Sequence, residues 1–428
     1  MEQNKYLTEY RKCLSAYTGE GILEYLYRFY RESNESYKDR QQRNSYVNYL
    51  KSVIDSIINP LFAENISRIA GNDITTMFLN NIDGKQSDID DIMREALIQW
   101  KLMGNSFIII NSNQTEGSDE YADVISNRKV PFLSVKNMTE LYQYETDEWG
   151  KLECIEFINE IKPRIQKDAK LNYQTPGQIP SVYDIHNNII TIIGFKQDEI
   201  YTYELGSNSE KEIYTNSYGF IPVIYFDPSV CPYPTAYDAA TTNLLIMNKT
   251  SEYDKASTEN AYSILELATD LLIKDIELSS SNIITKPTNS SASSAFLSPD
   301  TAILGELNKG IDNLLGQFEK QIDILGAVRG NSSSATSGTA YAFEFLGKSY
   351  EMKRNSKMAE AIEKLLQVAI NSIIPLISWE IEYPQEFIDP AGDLNVKLDV
   401  LSKYVGLGLV IPAEVTTYMQ EKLLKLIQ

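Results

Sequence analysis

A single histidine, His186, serves the whole 428-residue chain. Ser–His–Asp and Cys–His catalysis therefore lack a spare base, and most zinc-hydrolase sites lack a ligand set. Within YDIHNNIITII it reads as an ordinary turn or strand-edge residue. Cysteine is nearly as scarce. Cys13, Cys154 and Cys231 are odd in number, far apart and without CxxC spacing, which argues against a disulfide framework or a zinc site and fits a reducing, cytosolic setting. Long apolar runs are missing too. The N-terminus, MEQNKYLTEYRK, has no apolar signal region, and no stretch approaches the roughly 20 residues that span a bilayer, so a soluble, unprocessed chain is expected. Positive charge is in deficit. Lys and Arg number 39 against 59 Asp and Glu, a net charge of −20, so the surface as a whole repels phosphate and anionic lipid. A protein that grips DNA over a broad face would be basic.

Catalytic loop motifs are also absent: there is no GxSxG and no GxGxxG. The stretch AFEFLGKS, Ala342 to Ser349, ends like a phosphate-binding loop, but Ala342 stands where glycine is needed and the residues sit in a helical run. The acidic cluster Asp88, Asp90 and Asp91 suits a first helical turn, where carboxylates meet the positive helix end, and lacks the spacing of an EF-hand. No cofactor and no metal is implied.

What is present is a well-stocked core, 43% apolar, in a chain long enough for about three structural units. The pattern predicts an α+β fold. Residues 1 to 75 carry helical spacing, with Leu50, Val53, Ile54, Ile57 and Ile58 on one face. A helix with Ser87 as N-cap runs a stripe through Ile89, Met93, Ala96 and Trp100 and breaks at Gly104; a strand from Phe107 to Ile110 follows. From 130 to 226, short β-branched and aromatic segments predict a mostly antiparallel sheet, with a hairpin at DEWGKLE. The next helix opens with Ala236, Ala240, Leu244 and Met247, then turns polar nearly all round from Asn248 to Asn260, as a helix bridging domains or packing loosely among like helices would. After a Ser/Asn-rich segment, Leu307, Ile311, Leu314, Phe318, Ile322 and Leu325 form a stripe, with Gly310 and Gly316 hinting at close helix approach or a bend. A last long helix places Met358, Ile362, Leu365, Ala369 and Ile373 toward a core, and a strand at SWEIEYP precedes two short helices.

Several of these segments, in order from 93 to 370, resemble tailed-bacteriophage portal proteins of the gp6-like kind. They are IQWKLMGNSFIII, VPFLSVKNMTELYQYETDEWGKLECIEFIN, YGFIPVIYFDP and GNSSSATSGTAYAFEFLGKSYEMKRNSKMAEAIEKLLQVAI. The resemblance implies a portal fold: a helical and antiparallel-β wing (1–234), a first stem helix (235–262), a small α/β clip (263–303) and a second stem helix (304–328). A tunnel loop (329–340), a long wing helix (341–378), and a strand with a short helical crown (379–428) complete it. It implies a homo-oligomeric ring of about twelve subunits at one capsid vertex, a channel for packaging and ejecting double-stranded DNA. Its partners would be the terminase large subunit, major capsid and scaffold proteins and a head–tail adaptor, with no membrane; it would reside in the virion, and in host cytoplasm during assembly. Arg329, Gly330, Asn331, Ser332, Ser333, Ser334 and Thr336 would then ring the DNA, small and hydroxylated so that the pore stays open. Lys309 and Lys320 are candidate channel-facing cations; either lysine can equally pair with Asp312 or Asp323. The alternatives are another non-enzymatic head–tail connector, or a phage carboxylate-metal nuclease or hydrolase using Asp83, Asp88 and Asp90.

Overall fold

A computed structural model describes residues 2–30, 32–63, 66–111, 130–163, 188–205, 210–261, 264–268, 283–286, 295–297, 302–325 and 338–384. The chain opens with a short strand, β1 (Glu2–Gln3), and α1 (Leu7–Thr18), which ends where Gly19 turns left-handed. α2 (Asn34–Arg43) starts at Ser33, whose side chain accepts from the Ser36 N–H. α3 (Tyr49–Ala63) buries the predicted face, Leu50, Val53, Ile54, Ile57 and Ile58, and adds Leu61. At about 1.5–3 kcal/mol for each fully buried aliphatic side chain, that face alone anchors the bundle.

β2 (Ser67–Ala70) and α4 (Asp73–Asn80) lead to α5 (Ile89–Met103). The α5 cap lies one residue later than expected. Asp88, not Ser87, accepts from the Asp91 N–H, while the Ser87 hydroxyl donates to Asp83; a carboxylate at that position also meets the helix dipole. The predicted stripe is buried, and Gly104 closes the helix with φ 85°. A side chain there would come within 3.0 Å of Pro232, so only glycine fits the step into β3 (Phe107–Asn111).

The expected strands form as β4 (Phe132–Lys136), β5 (Leu141–Thr146), β6 (Leu152–Pro163), β7 (Asn188–Lys196), β8 (Glu199–Leu205), β9 (Glu212–Thr215) and β10 (Val223–Tyr225). They make two sheets rather than one. An antiparallel six-stranded sheet has the order β1-β5-β6-β7-β8-β9, and β3 is flanked by β10 and β4 in a separate three-stranded sheet. The split falls at the tight Asn137–Glu140 turn, whose backbone bond and Asn137 side chain end the pairing of β4 before β5 begins. The DEWGKLE hairpin forms: Asp147 accepts from the Trp149 and Lys151 N–H groups, and Gly150 has φ 78°.

Past the sheets come α6 (Tyr237–Ala261), the strands β11 (Ile264–Ala268), β12 (Ile283–Lys286) and β13 (Ala295–Leu297), then α7 (Ala302–Leu325), α8 (Gly338–Ile373) and β14 (Trp379–Glu382). β11 pairs parallel with β12 and antiparallel with β13. α7 packs chiefly along α6. Among the described residues the glycines of α7 carry no close approach, because a Cβ at Gly310 or Gly316 would meet nothing within 4 Å. β14 pairs with β2, returning the chain to its N-terminal body. The α8 stripe is rotated from the expected one. Ile362 is buried as predicted, but Leu365 is 56% exposed; Met352, Ala359, Leu366 and Ile370 are buried, and Met358, Ala369 and Ile373 are half-buried. The polar residue Glu363 lies inside this face, which is why an apolar count misplaced it.

Candidate functional site

The helix pair α6 and α7 is where the sequence places its candidate stem, and it is held by apolar residues in its first half and by polar ones beyond. Ala236, just before α6, and Ala240, Leu244 and Met247 within it are buried as predicted. The polar half of the helix does not stand free between domains. It docks on the segment of its own chain between α1 and α2, where a single 3-10 turn, Ile22–Tyr25, gives way to extended backbone at Leu26. Asn248, 3% exposed, accepts from the Tyr27 N–H at 2.7 Å and donates to the Tyr25 carbonyl at 2.9 Å. Asn243 does the same at the start of α3, accepting from Leu50 N–H and donating to the Val47 carbonyl. Backbone without regular pairing must find partners when it is buried, and amide side chains supply a donor and an acceptor together.

A charged group completes this junction. The Glu32 carboxylate, buried, accepts from Arg40 Nε at 3.1 Å and Nη2 at 2.9 Å and lies 3.3 Å from Lys255 Nζ on α6. Burial alone would raise the Glu32 pKa, but hydrogen bonds from Arg40, the Phe29 N–H and Lys255 outweigh it and hold the carboxylate below its ordinary range. None of Asn243, Asn248, Glu32, Arg40 or Lys255 was singled out from sequence. The available signal was the pair of asparagines at 243 and 248, set in or beside an apolar stripe.

α7 buries Phe318 and Ile322, with Phe318 ring-to-ring against Tyr49 at 5.9 Å. Its other side carries exposed Lys309, Asp312, Asn313 and Lys320. Lys309 pairs with Glu306 at 2.7 Å rather than with Asp312, both side chains being largely in solvent. Arg329, Gly330, Asn331, Ser332, Ser333, Ser334 and Thr336 lie outside the described residues, as do His186 and residues 385–428. The structure therefore brings Lys309 and Lys320 onto one helix and leaves the loop beyond it undescribed.

α8 is fastened to the body by two buried ion pairs. Glu363, fully buried, accepts from Arg68 Nε at 2.7 Å and Nη2 at 2.9 Å, from the Tyr383 hydroxyl at 2.7 Å and from Trp379 Nε1 at 3.0 Å; Arg68 also reaches Asp90 at 2.7 Å. Lys101 of α5 meets Glu351 at 2.5 Å. Burial lowers the Lys101 pKa, and Glu351 restores part of it.

The carboxylates of the hydrolase alternative are dispersed over structural tasks. Asp83 accepts from Ser87 and from the Lys85 N–H, Asp88 caps α5, and Asp90 pairs with Arg68. Among the described residues, no group of three or more His, Cys, Asp and Glu side chains is placed to hold a metal ion. The three cysteines are free and buried, and burial pushes the Cys13 thiol up to about 12, away from nucleophile chemistry. No helix of the described residues is long and apolar enough to cross a membrane.

No protein-family model matches the chain, and no curated protein does. Solved structures similar to it include a chain from the neck of an empty gene transfer agent particle computed with C6 symmetry. There the identity is 12%, the TM-score 0.41, and 92% of this chain and 95% of that one are covered. A chain of the native gene transfer agent virion matches at 12% identity and TM-score 0.42, over 96% and 93%. One from the native particle's neck with C12 symmetry matches at 13% and 0.35, over 85% and 87%. At such scores the superpositions do not establish a common fold.

Proposed function

We propose that the chain is a structural subunit of a phage-like particle and, more finely, a portal subunit. In this reading about twelve copies form a ring at one capsid vertex, pass duplex DNA, receive the packaging terminase on the clip and later carry the head–tail adaptor. The observation that carries it is the order helix, small separate sheet, helix: α6, then β11 to β13, then α7. That order follows the stem, clip, stem succession of the family the sequence resembles. The exposed polar side of α7 and its open glycines support it, since a ring presents surface both to neighbours and to a channel. Charge supports it as well. At −20 per copy, about twelve copies carry roughly −240, and an anionic wall lets DNA slide without the counterion-release affinity that would arrest it.

Electron micrographs of the purified protein test the reading. Rings with a central hole wide enough for duplex DNA are expected; a protein that stays monomeric at every salt concentration would sink it. The hydrolase alternative has lost its cluster, because Asp83, Asp88 and Asp90 are each engaged separately.

A further inference from the structure

The outer face of α8 is bare, and it carries positive charge in an acidic protein. Lys353, Lys357, Ala361, Leu365 and Val368 are exposed on successive turns, Leu365 at 56% and Val368 at 65%. Arg354 and Lys364 flank them and pair with Glu351 and Glu360 of the same helix. Lys353 and Lys357 are in no ion pair among the described residues. On the inner side, Glu363 is held by Arg68, Trp379 and Tyr383, so the β2–β14 ribbon lies against that side. At about 100° per residue, Val368 points roughly 140° away from Glu363.

The ribbon has an outer face of the opposite sign. Arg68 and Trp379 turn inward; strand alternation turns Ile69, Glu380 and Glu382 outward, with Ile69 62% exposed and directly across from Glu380. Neither glutamate is in an ion pair among the described residues. The spacing matches as well as the sign. Lys353 and Lys357 stand about 6 Å apart along the helix, and Glu380 and Glu382 about 7 Å apart along the strand. The two faces cannot meet within one chain, because α8 and the ribbon lie back to back between them.

We propose that they meet between copies: the basic and apolar side of α8 in one copy docks on the acidic β2–β14 ribbon of the next. A two-fold pair would set lysine against lysine or glutamate against glutamate, and it cannot use both unlike contacts at once because the faces point apart. The contact therefore runs head to tail, which closes only in a ring or grows as an open chain. The inference rests on the ring reading for closure, while the contact itself requires neither channel nor DNA.

Sedimentation velocity of the full chain at low and high salt is the test. Association that weakens as salt rises is expected, because exposed charges are screened. Two variants, Lys353→Glu with Lys357→Glu and Glu380→Lys with Glu382→Lys, change exposed side chains only and should keep the wild-type melting temperature. Each alone should associate at least about tenfold more weakly, since like charges then face each other. Mixed together they should associate as the wild type does, because each reversed face finds its complement on the other variant. Rings that form equally well in both variants overturn the proposal and leave the ring reading with its contact elsewhere. Open chains that the reversals break and mixing restores uphold the contact and overturn the closed ring. Loss in both variants without rescue on mixing overturns the pairing and gives the α8 face to a different acidic partner; a wild type that is monomeric at every salt concentration ends both readings.

Discussion

Glu32 holds two cations, Arg40 from α2 and Lys255 from α6, on one buried carboxylate. Removing the charge leaves a buried guanidinium uncompensated, which costs about 3–5 kcal/mol for such a pair, so Glu32→Gln should lower unfolding stability by that order in urea titration. Its pH dependence follows from the direction of the shift. The folded carboxylate titrates below its ordinary 4.5; its contribution is therefore present in full above that value and fades as pH falls through the folded pKa. Acid unfolding of the wild type below pH 4.5 should carry this component, and the variant should lack it; identical acid profiles would place the Glu32 charge elsewhere. The interaction could not be read from the chain, because Glu32 and Lys255 are 223 residues apart.

The elements differ in how far their faces could be read. The α3 face came out as expected, because each apolar residue at helical spacing is buried with no polar intruder. In α8, apolar residues occupy adjacent positions, Leu365 and Leu366, and burial favours the second because Glu363 is drawn inward by Arg68, Trp379 and Tyr383. That phase is testable on neighbouring residues. Leu366→Ala should cost about 2–5 kcal/mol of unfolding free energy, and Leu365→Ala should stay within about 0.5 kcal/mol. If Leu365 instead faces a neighbouring copy, its loss will show in ring assembly and not in unfolding of the single chain; equal costs in unfolding would contradict the observed rotation. The same logic covers the polar half of α6, whose sequence suggests an element between domains. Asn248 instead binds the segment before α2, and Lys255 binds Glu32 there and Ser36 within α2, turning polar character into attachment.

At the scale of the whole molecule, the portal reading places a tunnel loop of small hydroxylated residues between α7 and α8; the sequence pattern runs it from Arg329 to Ala340, but α8 already begins at Gly338, so its last three residues are helical. On that reading, bulky replacements at Asn331 to Ser333 should impair DNA packaging in an in vitro assay while rings still assemble in micrographs, because a pore lined by this loop would be narrowed. Normal packaging by such variants would move the pore elsewhere in the chain. In the same reading the acidic total charge belongs to this scale too, since in a ring it would act through the summed field of the copies rather than through any one contact.

By itself the sequence determined the mix of helix and strand and the kind and place of most elements, because hydrophobic periodicity and turn residues are local quantities. The strands from β3 to β10 and the Gly104 stop follow from such signals. Only the tertiary structure decided that the strands divide into two sheets, that β14 closes on β2, and that α8 is pinned through Arg68 and Glu363, 295 residues apart. It also decided that Arg40 and Lys255 share the Glu32 carboxylate. The physical reason is the same in each case. A buried charge or amide is stable only where its partner arrives, and the partner is chosen by packing in space, which spacing along the chain does not encode.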